Sequence, residues 1–126
     1  MKKLLSLAIG IISLAISNPA LAQTSNLDSV YLDALNTILV RNGNPLRNAV
    51  SEQGKIDDGV LMCQQLDNGS TVREVTRSIA GWAVDSYSTR FQQEQASSYG
   101  SVVLVVAVNV YCPEYRVAID EYLEQN

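Results

Sequence analysis

Hydrophobic residues recur every three or four positions along most of the chain, which is the spacing of amphipathic helices. The first of these stripes predicts a helix that begins at a capping Ser25 and ends before Gly43. Its apolar face consists of Leu27, Val30, Tyr31, Ala34, Leu35, Ile38 and Leu39. We expect another helical turn or two between Pro45 and Ser51.

The next stripe predicts a helix over residues 55–66, which Gly69 and the two polar residues before it bring to an end. Cys63 lies on the apolar face of this helix together with Ile56, Val60 and either Leu66 or Asp67. A third helix opens at a capping box made by Thr71 and the glutamate three positions later. Its apolar face consists of Val72, Val75, Ile79 and either Trp82 or Ala83.

A valine-rich run over residues 101–111 fits either a buried strand or a buried helix, and its periodicity does not distinguish them. No second strand-like run exists to pair with it, and a lone strand leaves its backbone polar groups without partners. We therefore predict a core helix that starts at Gln92 or Ala96 and ends at Cys112. It ends there because Pro113 disfavours α geometry in the residue before it.

Two polar segments flank this core helix. Residues 86–98 are rich in glutamine and serine, and we expect a solvated helix or a mobile connection that Phe91 alone anchors. Residues 115–123 alternate apolar and acidic positions, which favours a last short helix. Together these patterns predict an all-α fold, a small bundle of about four to five helices. They place one domain over residues 23–113 and an acidic tail or short helix over 114–126.

The first 22 residues have the pattern of a cleaved signal peptide. Lys2 and Lys3 precede an apolar core over residues 4–16, and a small-x-small motif at residues 20–22 predicts cleavage before Gln23. We expect export by the general secretory route to the periplasm or the exterior. An uncleaved anchor is the alternative, but the apolar core is shorter than the roughly 20 residues that a membrane span needs.

Charge and composition narrow the classes of function. The whole chain has a formal net charge of −4, which becomes more negative when the signal lysines are removed. This balance argues against nucleic acid and anionic membrane surfaces as partners, and we expect no stable membrane insertion after signal removal. Histidine, the commonest general base and metal ligand, is absent from the sequence. We therefore expect no enzyme, no metal site and no cofactor.

Cys63 and Cys112 are the only cysteines in the chain. In an exported protein such a pair predicts one structural disulfide that cross-links the helices. A redox-active pair is the alternative. It requires an exposed thiolate of low pKa, usually in a Cys-x-x-Cys motif, whereas these cysteines lie far apart on apolar stripes.

The residues around the two cysteines carry a family resemblance. They read Gly59-x-x-x-Cys63-x-x-Leu66-x-x-Gly69 and Tyr111-Cys112-Pro113. At this separation the two motifs resemble those of the domain of unknown function 732 family, small exported bacterial proteins. The resemblance begins near Tyr31 and departs from the family in the polar segment 92–98 and in the acidic tail. It implies an all-helical fold with one disulfide and brings no activity, catalytic residue or cofactor.

Two hypotheses on function follow from this scaffold. The first is a secreted binding or interaction module for an unknown protein or envelope component. The second is a carrier that holds a small apolar ligand between helices near Trp82, Tyr99 and the valine-rich helix. The alternative is that Trp82 and the tyrosines have no ligand and are structural residues of the core and of its rim. We expect Asp57 and Asp58, near a helix start, to complement the helix dipole and not to form an acid–base pair.

Overall fold

Six α-helices account for the fold of residues 17–125, the part of the chain that the computed structural model describes. In chain order they are α1 (Ser17–Arg41), α2 (Leu46–Ala49), α3 (Glu52–Asp67), α4 (Val72–Ser86), α5 (Arg90–Val110) and α6 (Arg116–Gln125). A short 3-10 helix, Pro113–Tyr115, joins α5 to α6. These residues contain no strand, and the predicted all-α bundle is confirmed.

Helix α5 lies at the centre of the bundle and packs against α1, α3 and α4. Its buried residues are Ala96, Tyr99, Gly100, Val103, Leu104, Val106, Ala107 and Val108. Because neighbouring helices cover several of its sides, α5 is apolar around much of its circumference and not along one stripe. This explains why the valine-rich run looked equally compatible with a strand. The predicted core helix is correct.

The start of α5 differs from the expectation for the polar segment before it. Only residues 87–89 connect α4 to α5, because Thr89 and Gln92 form a capping box that starts the helix at once. The Thr89 hydroxyl accepts a hydrogen bond from the Gln92 backbone N–H at 3.1 Å. The prediction that Phe91 anchors this segment was wrong. Its side chain is 65% exposed, and Ala96 and Tyr99 hold this end of α5 in the core.

Helix α1 also begins earlier than predicted. It is helical from Ser17, so Ser25 does not cap it, and the predicted cleavage point before Gln23 lies within the helix. The apolar core of the predicted signal peptide lies outside the described residues. Among residues 26–41 of α1, Tyr31 is the first that is buried, and Leu27 and Val30 before it are 41% and 48% exposed.

Helix α3 begins at Glu52, three residues before the expected start, because the Ser51 hydroxyl accepts a hydrogen bond from the Gly54 N–H. Its buried residues are Lys55, Gly59, Cys63 and Leu66. Cys63 and Leu66 are buried as predicted, whereas Ile56 is half-buried and Val60 is exposed, because Lys55 and Gly59 take the buried positions in the first part of the helix. Asp57 and Asp58 lie in the second turn of α3 and not at its start.

The turn between α3 and α4 agrees with the sequence. Gly69 has a φ of 103°, a conformation that favours glycine. The capping box at the start of α4 is confirmed, since the Thr71 hydroxyl accepts from the Glu74 N–H and the Glu74 carboxylate accepts from the Thr71 N–H. Ala83, and not Trp82, completes the buried face of α4.

Helix α6 packs against α4 and α5 through the buried side chain of Ile119. The guanidinium of Arg73 on α4 lies 5.4 Å from the ring centre of Tyr122, which adds a cation–π contact. The predicted last short helix is confirmed.

The disulfide between Cys63 and Cys112 joins α3 to the segment that follows α5, with a Cα–Cα distance of 6.0 Å. Both cysteines are buried. Cys112 has left the helical conformation, with φ −140° and ψ 64°, as expected for a residue before proline. The predicted pairing is confirmed.

Gly59 lets α1 approach α3 closely. The Tyr31 ring lies directly over it, and a Cβ atom at position 59 would be 2.7 Å from Cζ of that ring. The ring cannot simply move away, because the Tyr31 hydroxyl donates a hydrogen bond to the Lys55 carbonyl at 2.5 Å.

Replacing both cysteines by alanine is expected to lower the free energy of unfolding by about 4 kcal/mol, because the disulfide closes a loop of 49 residues in the unfolded chain. Urea unfolding followed by circular dichroism measures the difference. Wild-type protein unfolded with and without a reductant provides the control. An unchanged midpoint in the double variant would contradict the prediction.

Gly59→Ala is expected to lower the free energy of unfolding by about 2 kcal/mol, since the new methyl group overlaps the Tyr31 ring. Gly81→Ala is the matched control, because Gly81 is also helical but a Cβ atom there meets nothing within 4 Å. Gly81→Ala is expected to have the opposite effect and to raise the free energy of unfolding by up to about 1 kcal/mol, because alanine has the higher helix propensity. Thermal unfolding of the two variants tests both signs, and destabilisation by both substitutions would contradict the steric explanation.

Candidate functional site

An open groove of about 210 Å³ lies between α3, α4 and the middle of α5. We refer to it as the Trp82 groove. Its lining residues are Asp58, Leu61, Met62, Gln65, Val75, Ser78, Ile79, Trp82, Tyr99 and Gly100. Most of these side chains are apolar, and none of them is basic.

The α3–α4 hairpin sets the two long walls of the groove. Gln65 and Val75 lie close in sequence to the connection over residues 68–71, whereas Asp58 and Trp82 lie roughly three helical turns away from it along α3 and α4. Gly100 on α5 forms part of the floor, because a Cβ atom there would collide with Ile79 on α4. The close approach of α5 to α4 therefore keeps the groove shallow.

Trp82 is the largest exposed side chain of the groove. It is 42% exposed, and the Tyr87 ring packs edge-on against it with a centroid distance of 5.9 Å and an interplanar angle of 87°. An exposed tryptophan beside apolar walls is a common feature of surfaces that bind a partner. Its neighbour Ala83 fills the core position, which leaves Trp82 free to face the groove.

Among the described residues that line the groove, Asp58 is the only acidic one. Its Oδ2 atom accepts a hydrogen bond from the Tyr99 hydroxyl at 2.7 Å. Desolvation raises the pKa of this carboxyl above its ordinary value of 3.8, and the charge of Asp57 raises it further. The hydrogen bond from Tyr99 acts in the opposite direction but does not cancel the rise. The fold therefore holds a carboxylate beside apolar side chains at some cost to its ionised form.

Burial and the neighbouring Asp58 raise the pKa of the Tyr99 hydroxyl, so this group remains a proton donor at physiological pH. A donated hydrogen bond uses one lone pair of Asp58 and fixes the orientation of the carboxyl group. Oδ1 accepts no hydrogen bond from the described residues, and it is available to a partner.

Tyrosine hydroxyls join helices elsewhere in the bundle too. The other bonds run from Tyr31 to the Lys55 carbonyl (2.5 Å), from Tyr111 to Asp28 (2.5 Å) and from Tyr115 to Asp67 (2.7 Å). With the bond of Tyr99 they connect α1 and α3 to each other, to the middle of α5 and to the segment that follows α5. The sequence assigned these tyrosines to core and rim but did not reveal their acceptors, which lie 24 to 83 positions away.

Lys55 is an unexpected buried cation. Its side chain is 4% exposed, and its Nζ atom donates to Asn36 Oδ1 at 2.7 Å and to the Arg47 carbonyl at 2.6 Å. Desolvation lowers the pKa of Lys55, while the charge of Glu52 raises it in part. These contacts tie α1 and α2 to α3, and Lys55 does not line the groove.

A second depression, between α1 and the start of α3, is polar and acidic. It is lined by Asp28, Ser29, Leu32, Asp33, Asn36 and Glu52. Among the residues that the structure describes, no group of three or more acidic, cysteine or histidine side chains is arranged to hold a metal ion.

The structure separates the residues singled out in the sequence into two sets. Trp82 and Tyr99, the suggested ligand or partner contacts, line the same groove. The others lie in the framework around the disulfide, and they are Gly59, Leu66, Gly69, Tyr111 and Pro113. Asp58 was missed as a groove residue, because its tyrosine partner is 41 positions away and nothing local marks it.

The fold and the groove define a small, disulfide-linked, all-α protein with one partly exposed aromatic site. A family model described as "Protein of unknown function (DUF732)" matches residues 27–114, and the chain belongs to this family. No curated protein and no solved structure matches the chain.

A structural disulfide is typical of an oxidising environment outside the cytoplasm. Within residues 17–125 no single helix is long and apolar enough to span a membrane. By length and composition alone, α5 and residues Pro113–Gln125 meet that requirement as a pair, with a bend of 111° between them.

Asp58→Asn is expected to stabilise the protein at neutral pH. The folded chain raises the pKa of Asp58 above 3.8, so the ionised carboxyl lowers the free energy of unfolding once the pH exceeds the folded-state value. The asparagine oxygen still accepts the hydrogen bond from Tyr99. The gain in the free energy of unfolding should therefore shrink as the pH falls toward 3.8, because Asp58 of the wild type then becomes protonated and loses its charge. Urea unfolding at a series of pH values measures it.

Asp33→Asn is the matched control for this experiment, since Asp33 is an exposed carboxylate on α1 outside the groove. A surface substitution of this kind is expected to change the free energy of unfolding by less than about 0.5 kcal/mol. If Asp58→Asn were no more stable than the wild type at neutral pH, desolvation of Asp58 would not be the dominant effect.

Proposed function

We propose that this protein is an exported, non-enzymatic binding module that recognises a protein partner in the cell envelope or outside the cell. The observation that carries the proposal is the half-exposed Trp82 beside the apolar groove. Buried interface centres are rich in tryptophan, and a single such residue often supplies much of the binding energy.

The size of the groove favours a protein partner over a free ligand. Pockets that enclose small molecules usually have volumes of about 300–1,000 Å³. The Trp82 groove, at about 210 Å³, accommodates one side chain or a short alkyl chain. A side chain that projects from a partner would occupy such a groove while the surrounding surfaces make the remaining contacts.

The rigidity of the scaffold supports the same function. Both walls belong to helices with hydrogen-bonded N-caps, and the disulfide joins the end of α3 to the end of α5. A groove that exists before binding loses little conformational entropy when a partner enters it. The signal-peptide pattern of residues 1–22 and the disulfide together support export as the setting of this interaction.

A carrier of a small apolar ligand is the second candidate. The apolar walls formed by Leu61, Met62, Val75 and Ile79 support it. The volume restricts such a ligand to a short chain. Native mass spectrometry of protein purified from its own host would reveal a retained ligand.

The binding function is tested with the full chain, exported and oxidised in its host, then purified and immobilised. Trp82→Ala is expected to weaken retention of the partner by about 30-fold, because a central tryptophan contributes about 2 kcal/mol or more. Val84→Ala is the matched control. Val84 is 58% exposed on the same helix but does not line the groove.

The measurement compares retention of one identified envelope protein by the three immobilised proteins. Retention that depends on Trp82 and not on Val84 supports the proposal. Equal retention by all three proteins, or a retained small ligand in place of a protein, would contradict it.

A further inference from the structure

We infer that the groove receives an arginine side chain of the protein partner, with the guanidinium at Asp58 and Trp82 and the aliphatic stem along the apolar walls. This inference rests on the proposed binding function and specifies the chemistry of the residue that enters. Three properties of the groove support it, namely its charge, the position of its aromatic ring and its apolar lining.

The charge of the groove selects a cation. Asp58 is its only ionisable carboxyl group, and no lysine or arginine of the described residues lines it. The Tyr99 hydroxyl occupies Oδ2, so a guanidinium N–H can donate to Oδ1 without displacing an existing bond. A carboxylate that is partly desolvated gains more from a cation than a fully hydrated one does. An anionic or phosphate-bearing ligand meets the opposite charge and is disfavoured.

The choice of arginine over lysine follows from Trp82 and from hydration. A planar guanidinium stacks on an aromatic face and sheds its water more easily than an ammonium ion, which is compact and strongly hydrated. Asp58 and Trp82 both line this groove of about 210 Å³, and the inference requires one bound cation to contact both groups. The indole of Trp82 is partly exposed, so a cation that enters the groove can reach it.

The apolar lining suits the stem of an arginine. Leu61 and Met62 on α3 face Val75 and Ile79 on α4, and together they flank the path to Asp58. Long basic side chains commonly bury their methylene groups along apolar surfaces while the charged head meets a polar partner. The volume of the groove, about 210 Å³, limits the occupant to one such side chain.

The inference is tested with two probes of matched shape, n-butylguanidinium chloride and uncharged n-butylurea. The chain contains a single tryptophan, so one indole N–H resonance reports on the groove in ¹H–¹⁵N NMR titrations of the full oxidised chain. n-Butylguanidinium is expected to bind at least about tenfold more tightly than n-butylurea, because its hydrogen bond to Asp58 is charge-assisted. Asp58→Asn should remove this difference, whereas the Asp33→Asn control should retain it.

Other outcomes would overturn the inference. Equal binding of the two probes would show a groove that recognises only apolar shape, and no shift of the Trp82 resonance would show that neither probe enters. n-Pentylammonium that binds as tightly as n-butylguanidinium would exclude a preference for arginine. In each case Trp82-dependent retention of a partner would still stand, so failure of this inference is distinguishable from failure of the proposed function.

Discussion

The burial of α5 is the constraint on which the rest of the structure depends. Its valine-rich sequence offers apolar surface on several sides, and α1, α3 and α4 each cover one of them. Since burial of this surface is the largest favourable term in folding, the other helices take their positions from it. The groove is a consequence of the same packing, because its lining residues come from α3, α4 and the middle of α5.

Close contacts and tyrosine hydrogen bonds then fix how the helices fit against one another. Gly59 admits the Tyr31 ring, and Gly100 admits the Ile79 side chain. Each glycine removes a side chain where another helix must pass, and the tyrosine hydroxyls satisfy acceptors on α1 and α3. The groove thus combines a rigid frame with one partly desolvated carboxylate. Such a carboxylate lowers stability, so the packing of the core does not by itself explain its position in a cleft.

The sequence predicted those features of the fold that depend on neighbouring residues, such as helix caps and the periodicity of apolar positions. The helix starts after Thr71 and Thr89 both follow the capping-box pattern, but only the first of them was predicted. The core helix followed from the lack of a partner for a strand. Phe91 was misassigned, because an isolated aromatic residue carries no information about which helix face is covered.

The pattern of hydrophobic and polar residues did not predict the features that depend on tertiary contacts. Lys55 reads as a surface residue, and it is buried only because acceptors on α1 and α2 converge on its amino group. Asp58 reads as a residue that complements a helix dipole. Its place in the groove depends on Tyr99 and Trp82, which belong to two other helices. Neither assignment follows from spacing, because each requires the relative placement of three helices.

The disulfide has a topological consequence for the groove. The covalent ring that Cys63 and Cys112 close contains all of α4 and α5, together with the short connection over residues 87–89. If an extracellular protease cut that connection, the two fragments would remain one molecule, with α4 and α5 still attached to α3 through opposite ends of the ring. The walls and the floor of the groove would therefore stay in one covalent unit after a single cut at this exposed connection.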